Sequence, residues 1–158
     1  MTRRMVRLEM DVLVVNGLIS LLDDGGVQVV PDLDDRRQWL FTGDNAVIVA
    51  SAGHTDHYAA LTLEVWPSAP PAPPADRAWE VVEERVVRLS SGDLEVHPLV
   101  TPPGTQILRV GPRGAYHLRA HACGRAEIAA LTPDPDIHAL RGTERLLLQF
   151  WPSRHQPS

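Results

Sequence analysis

Apolar and polar residues alternate along several stretches of this chain, and the alternation is cleanest from Tyr116 to Ala122. Tyr116, Leu118, Ala120 and Ala122 fall on one face of an extended backbone, with His117, Arg119 and His121 on the other, so the pattern predicts a strand buried on one face and wet on the other. Gly111 to Gly114 before it reads as a turn. Val6 to Val15 has the same period, with Val6, Leu8, Met10, Val12 and Val14 opposite Arg7, Glu9 and Asp11. Asn16-Gly17 then predicts a two-residue hairpin turn into a strand over 18–22, or else a bulge in one long bent strand.

Further strands are expected over 27–30, 46–50, 61–65, 93–98, 107–110 and 145–151. Ala46 to Ala50 is apolar nearly throughout, as in a sheet covered on both sides. Residues 78–89 are ambiguous: Trp79, Val82, Val86 and Leu89 fit a helical stripe, but the valines favour a strand, which is the assignment adopted. Residues 67–76 are a Pro/Ala/Ser connector with no core of its own. Residues 124–142 form an irregular insertion with one helical turn near 127–131. The whole predicts an all-β, single-domain antiparallel β-sandwich of eight or nine strands spanning 1–158.

Composition narrows the function classes. The 158 residues carry a formal net charge of -5, which argues against a direct nucleic-acid partner. All 15 basic residues are arginine, as GC-rich coding gives. No apolar run approaches the roughly 20 residues of a membrane span, and Glu9 and Asp11 interrupt what an export signal would need. The single cysteine, Cys123, suits a reducing compartment, and the expected location is the cytoplasm.

Candidate chemistry is sparse. His54, His57, His117 and His121 are the residues with metal-ligand character, but His117 and His121 on one strand stand roughly 13 Å apart. Only a fold that brought His54 or His57 against one of them would make a site, so neither a metal nor a cofactor is expected. Arg119 between the two histidines offers an alternative ligand face for a carboxylate or phosphate, the basis of a ligand-binding or enzymatic reading. Cys123 would need a histidine partner to act as a nucleophile, and none of the common catalytic motifs occurs. Acidic residues gather in loops: Asp23 and Asp24, then Asp32, Asp34 and Asp35, then Glu80, Glu83 and Glu84. These are either solvated turns or a face that docks on a basic protein, with Trp39 either anchoring that interface or buried in the core. A third reading is a structural subunit of a homo-oligomer, with the apolar closing strand at the interface.

The opening strand 8–15, Trp39, Gly-Asp-Asn-Ala-Val-Ile-Val at 43–49, the strand 61–65, and Gly114, Tyr116 and Leu118 follow one another in an order that resembles the competence protein J family of nuclease inhibitors. The resemblance covers most of 8–122, and the chain departs from it in the connector and in the closing segment 144–152. Members of that family are small acidic proteins that bind and inhibit a nuclease. The resemblance therefore implies a non-enzymatic, inhibitor or immunity-like protein that binds a basic partner, without assigning any binding residue. The expected docking face is Asp32, Asp34, Asp35 and Trp39.

Overall fold

A computed structural model describes residues 3–73, 79–131, 136 and 138–153. Residues 74–76 of the connector, residues 132–135 and 137 of the insertion, and both chain ends lie outside the described residues. Eleven strands form two stacked sheets. In chain order they are β1 (Val6–Val14), β2 (Leu18–Leu22), β3 (Leu40–Gly43), β4 (Ala46–Ala50), β5 (His57–Val65), β6 (Val81–Leu89), β7 (Asp93–His97), β8 (Val100–Thr101), β9 (Ile107–Arg109), β10 (Gly114–Cys123) and β11 (Arg145–Pro152), with one short helix, α1 (Arg125–Ala130). One sheet has the order β6-β10-β11-β5-β1-β8 and the other β3-β4-β2-β7-β9. The all-β sandwich read from the sequence is the observed fold.

Each alternating strand sends its apolar set between the sheets. Val12, Val14, Leu63, Leu118, Ala120, Leu148 and Phe150 from one sheet meet Ile19, Leu21, Val47, Val49, Leu94 and Leu108 from the other, all at most 1% exposed. Residues 81–89 settle as a strand: Val87 and Leu89 are buried while Val82 and Val86 face out, so the helical stripe splits across two faces. Val27 to Val30 forms no strand. Its backbone is drawn instead onto the β3–β4 turn, where Val29 N–H donates to Asp44 O (2.9 Å) and Asn45 Nδ2 donates to Val27 O (2.9 Å).

Two topological expectations need correction. Asn16 and Gly17 do form the tight turn, with φ of 54° and 76°, and Val15 bridges Leu18. The flanking strands then separate into different sheets instead of continuing as a hairpin. β1 has nine partners waiting on β5, while β2 pairs with β4 and β7. The sheets are also not purely antiparallel, because β11 runs parallel to β5. β11 is antiparallel to β10 along eight pairs, and because β10 and β5 run in opposite directions, the strand between them can be antiparallel to only one of the two. With a neighbour on each edge, β11 sits inside the sheet and has no free edge for pairing with the strand of a second copy.

Where β10 ends, Gly124 turns the chain with φ of 75°, and a Cβ there would meet Thr143 O at 1.8 Å. α1 follows at once, its first amides capped from outside: Arg125 N–H and Ala126 N–H donate to the Glu80 carboxylate at 2.8 and 3.2 Å. The helical turn expected at 127–131 is this helix, begun two residues earlier.

Candidate functional site

The β2–β3 loop carries the expected docking residues. Asp32 and Asp34 are exposed, and the Asp32 carboxylate accepts the Asp34 amide at 2.9 Å. Asp35 differs, since Arg37 holds it at 3.1 Å and keeps its carboxyl below the ordinary value. Trp39 is 5% exposed, in the core, with the Arg125 guanidinium 5.5 Å from its ring centroid. It therefore offers no surface to a partner. What the sequence did not single out is the apolar part of the same loop. Val27, Val29 and Val30 are 81%, 49% and 59% exposed, on a segment whose backbone is held at Val27 O and Val29 N–H. Exposed Asp24 and Asp44 lie on the flanking turns.

Asp23, grouped by sequence with the solvated acids, is fully buried. It accepts hydrogen bonds from Gly25 N–H, Ser91 N–H, Ser91 Oγ–H and Gly92 N–H at 2.6–3.0 Å, tying the start of the docking loop to the β6–β7 turn. Burial alone would raise its pKa, but the bonds from Ser91, Gly25 and Gly92 outweigh it and hold the carboxyl below its ordinary value. Asp23→Asn puts an amide donor among these donors, and it should cost about 1–3 kcal/mol of unfolding free energy in urea titrations.

The histidine face does not assemble. Strand alternation places His57 on the inner face of β5 and His117, Arg119 and His121 on the outer face of β10, two strands away. His54 is exposed with Nε2 2.9 Å from Ala129 O. His117 stacks on Trp151 at 5.2 Å, and Arg119 lies 5.1 Å from the same ring while pairing with Glu84 at 2.7 Å. Among the described residues no three His, Cys, Asp or Glu side chains group to hold a metal.

The expected wet face is wet only in part. His121 is 3% exposed, because the connector passes over this side of the sheet: Arg119 donates to Pro70 O (3.2 Å), and the Trp79 ring lies 5.5 Å from the imidazole. His121 is one end of a buried polar chain. Gln149 Nε2 donates to Glu64 Oε1 at 3.0 Å, which turns Gln149 Oε1 toward His121 Nε2, also at 3.0 Å. The imidazole must therefore carry its proton on Nε2, leaving Nδ1 a bare acceptor with no partner among the described residues. Burial first, then the nearby Arg119 charge, push its pKa down. At the other end Glu64, 4% exposed, also accepts from Trp66 Nε1 (3.0 Å) and Arg7 (2.6 Å).

A second buried cluster joins Glu144 to His57, each 0% exposed. His57 Nδ1 faces Thr55 O at 2.9 Å and Nε2 faces Glu144 Oε1 at 3.3 Å; both neighbours only accept, so both nitrogens are protonated. Burial pulls this imidazole down, but the hydrogen bonds to Glu144 and Thr55 and the Glu144 charge bring it above its ordinary value. Glu144 also accepts from Ser51 Oγ (2.6 Å) and Ala52 N–H (3.0 Å), with Arg125 3.5 Å away, and sits below its ordinary value although burial alone would raise it. Serine, histidine and glutamate meet here, but Ser51 donates to the carboxylate and not to the imidazole. The nucleophile–base contact of a hydrolase is missing, and the cluster acts as a clamp between the β4–β5 loop and β11.

The architecture defines the class as a two-layer β-sandwich of one six-stranded and one five-stranded sheet. No protein-family model matches the chain, and no curated protein sequence does. Two solved structures share its fold. ComJ from Bacillus subtilis, inhibitor of the DNA degrading activity of NucA, superposes with a TM-score of 0.57 over 97% of this chain and 99% of its own, at 10% identity. The crocagin biosynthetic protein J superposes with a TM-score of 0.56 over 95% of this chain and 100% of its own, at 17% identity. The resemblance read from the sequence is thus a resemblance of fold. Among the described residues no helix is long and apolar enough to cross a membrane.

Proposed function

We propose that this chain is a protein-binding module of the inhibitor or immunity type, acting without catalysis, which docks its β2–β3 loop on a basic partner. The observation that carries the reading is the loop's surface, with Val27, Val29 and Val30 projecting between the exposed carboxylates Asp24, Asp32, Asp34 and Asp44. Exposed apolar groups this close together mark interaction surfaces in soluble proteins, and a carboxylate rim favours a partner of opposite charge. The fold shared with ComJ, itself an inhibitor, supports the same reading. Asp35 contributes less to the rim than the sequence suggests, since Arg37 neutralises it.

Affinity capture of the tagged chain from an extract of its own source, at low and high salt, tests the partner. One basic protein retained at low salt and lost at high salt is the expected result; no partner at either salt overturns the reading. With the partner in hand, Asp32→Asn with Asp34→Asn should weaken binding about tenfold, chiefly through slower association, and flatten the salt dependence. An unchanged affinity removes this loop as the docking face.

A further inference from the structure

The outer face of the six-stranded sheet carries a groove of about 580 Å³, within the size range of small-ligand sites. Strand register builds it. One row across the sheet runs His121–Leu147–Thr62–Glu9, and the next runs Cys123–Arg145–Ala60–Asp11–Thr101. Ala60, Thr62 and Leu147 make a floor of small and apolar groups, with Pro73 of the connector and Trp79, just before β6, on one side and Pro102 on the other.

The charges at this groove are mostly settled among themselves. Arg7 holds Glu9 (2.8 Å) and Glu64 (2.6 Å), and Arg141 holds Asp11 (2.6 Å). Arg145 is exposed at the groove, and no acidic group among the described residues pairs with it. The groove therefore keeps one uncompensated cation beside apolar surface. Behind the groove, outside its lining, lies a buried acceptor: His121, next to Leu147 in the same row and covered by Trp79, keeps Nδ1 without a partner among the described residues. Trp79 is at once a wall of the groove and the cover of this imidazole.

We propose that this groove binds an apolar carboxylate with an adjacent N–H, the chemistry shared by a free N-acyl amino acid and the carboxyl-terminal residue of a peptide. Arg145 takes the carboxylate in a charge-assisted pair, Leu147 and Ala60 take the side chain, and the Trp79 ring turns aside on binding so that His121 Nδ1 accepts the N–H. The site lies on the sheet opposite the β2–β3 loop and does not rest on the docking role proposed for it.

The test is a titration of the ¹⁵N-labelled chain, followed by the Trp79 indole N–H resonance. The probes are N-acetylphenylalanine, its carboxamide, 3-phenylpropionate and the tripeptide Gly-Gly-Phe. N-acetylphenylalanine should give saturable shifts, with the carboxamide and 3-phenylpropionate each about tenfold weaker. Arg145→Ala should weaken N-acetylphenylalanine about tenfold, and Arg113→Ala, outside the groove, should leave it unchanged. Arg145 is exposed and makes no ion pair among the described residues, so this variant should fold. A tripeptide that binds about tenfold tighter than the acetylated residue assigns the site to peptide chain ends, and equal affinities assign it to free acids. Absence of saturation up to about 10 mM, equal binding of acid and carboxamide, or undiminished binding by Arg145→Ala overturns the proposal.

Discussion

Glu144→Ala is expected to destabilise the chain by about 3–5 kcal/mol, a fall in melting temperature of roughly 6–20 °C for a domain of this size. The change leaves the His57 imidazolium fully buried without its counter-ion and takes the acceptor from Ser51 Oγ and the Ala52 amide. A buried charge that loses its partner bears its desolvation uncompensated, which is why truncating one half costs more than the pair itself contributes. Glu144→Gln keeps the shape and an acceptor and loses the charge, so a smaller loss is expected. A melting temperature within 2 °C of the parent in Glu144→Ala, about the effect of 1 kcal/mol or less, would refute the clamp.

The same pair predicts a pH window. His57 titrates above its ordinary 6.5, so its contribution is complete below that value and fades as pH rises through the folded pKa. Glu144 titrates below its ordinary 4.5, so its contribution is complete above that value and fades as pH falls through the folded pKa. The clamp is therefore strongest between 4.5 and 6.5. His121 opposes it: its depressed pKa makes the folded state the weaker proton binder, so stability falls as pH drops below 6.5. The difference between parent and Glu144→Gln melting curves isolates the clamp. That difference should shrink as pH rises above 6.5, and a difference constant to pH 9 would contradict a charged His57.

Strand identity was legible wherever one face met the core and the other met water. β1 and the inner face of β10 follow their alternation residue by residue, and the apolar run Leu146 to Trp151 marks a strand enclosed on both sides. Sheet membership was not legible, because Asn16-Gly17 makes the same turn whether its strands pair or part; their partners, 57–65 and 46–50, lie far away in sequence. Valines at 27–30 suggest a strand by propensity, yet the backbone donors and acceptors there are claimed by the β3–β4 turn. Burial of His121 depends on which face the connector crosses, and a Pro/Ala segment has no periodicity to reveal it. Glu144 reads as a loop residue before a strand, and its partner His57 stands 87 positions earlier. Gln149 did carry a signal, as the one polar residue within an otherwise apolar strand interior, and such a residue needs a buried partner.

That partner requirement leads to the second large effect. Gln149→Leu should cost about 3–5 kcal/mol, because two buried groups lose their complement at once: the Nε2–H of His121 and one acceptor site of the ionised Glu64. Glu64 keeps Trp66 and Arg7, whereas His121 keeps no hydrogen-bond partner among the described residues, so the imidazole accounts for most of the loss. Replacing the imidazole as well removes the unsatisfied donor. His121→Phe with Gln149→Leu should therefore be more stable than Gln149→Leu alone, by about 1–2 kcal/mol, even though it carries one more substitution. Urea unfolding of the parent, both single variants and the double variant reads this directly. Additive losses across the cycle would mean that His121 and Gln149 act separately, and the buried polar chain would reduce to two unrelated side chains that happen to be neighbours.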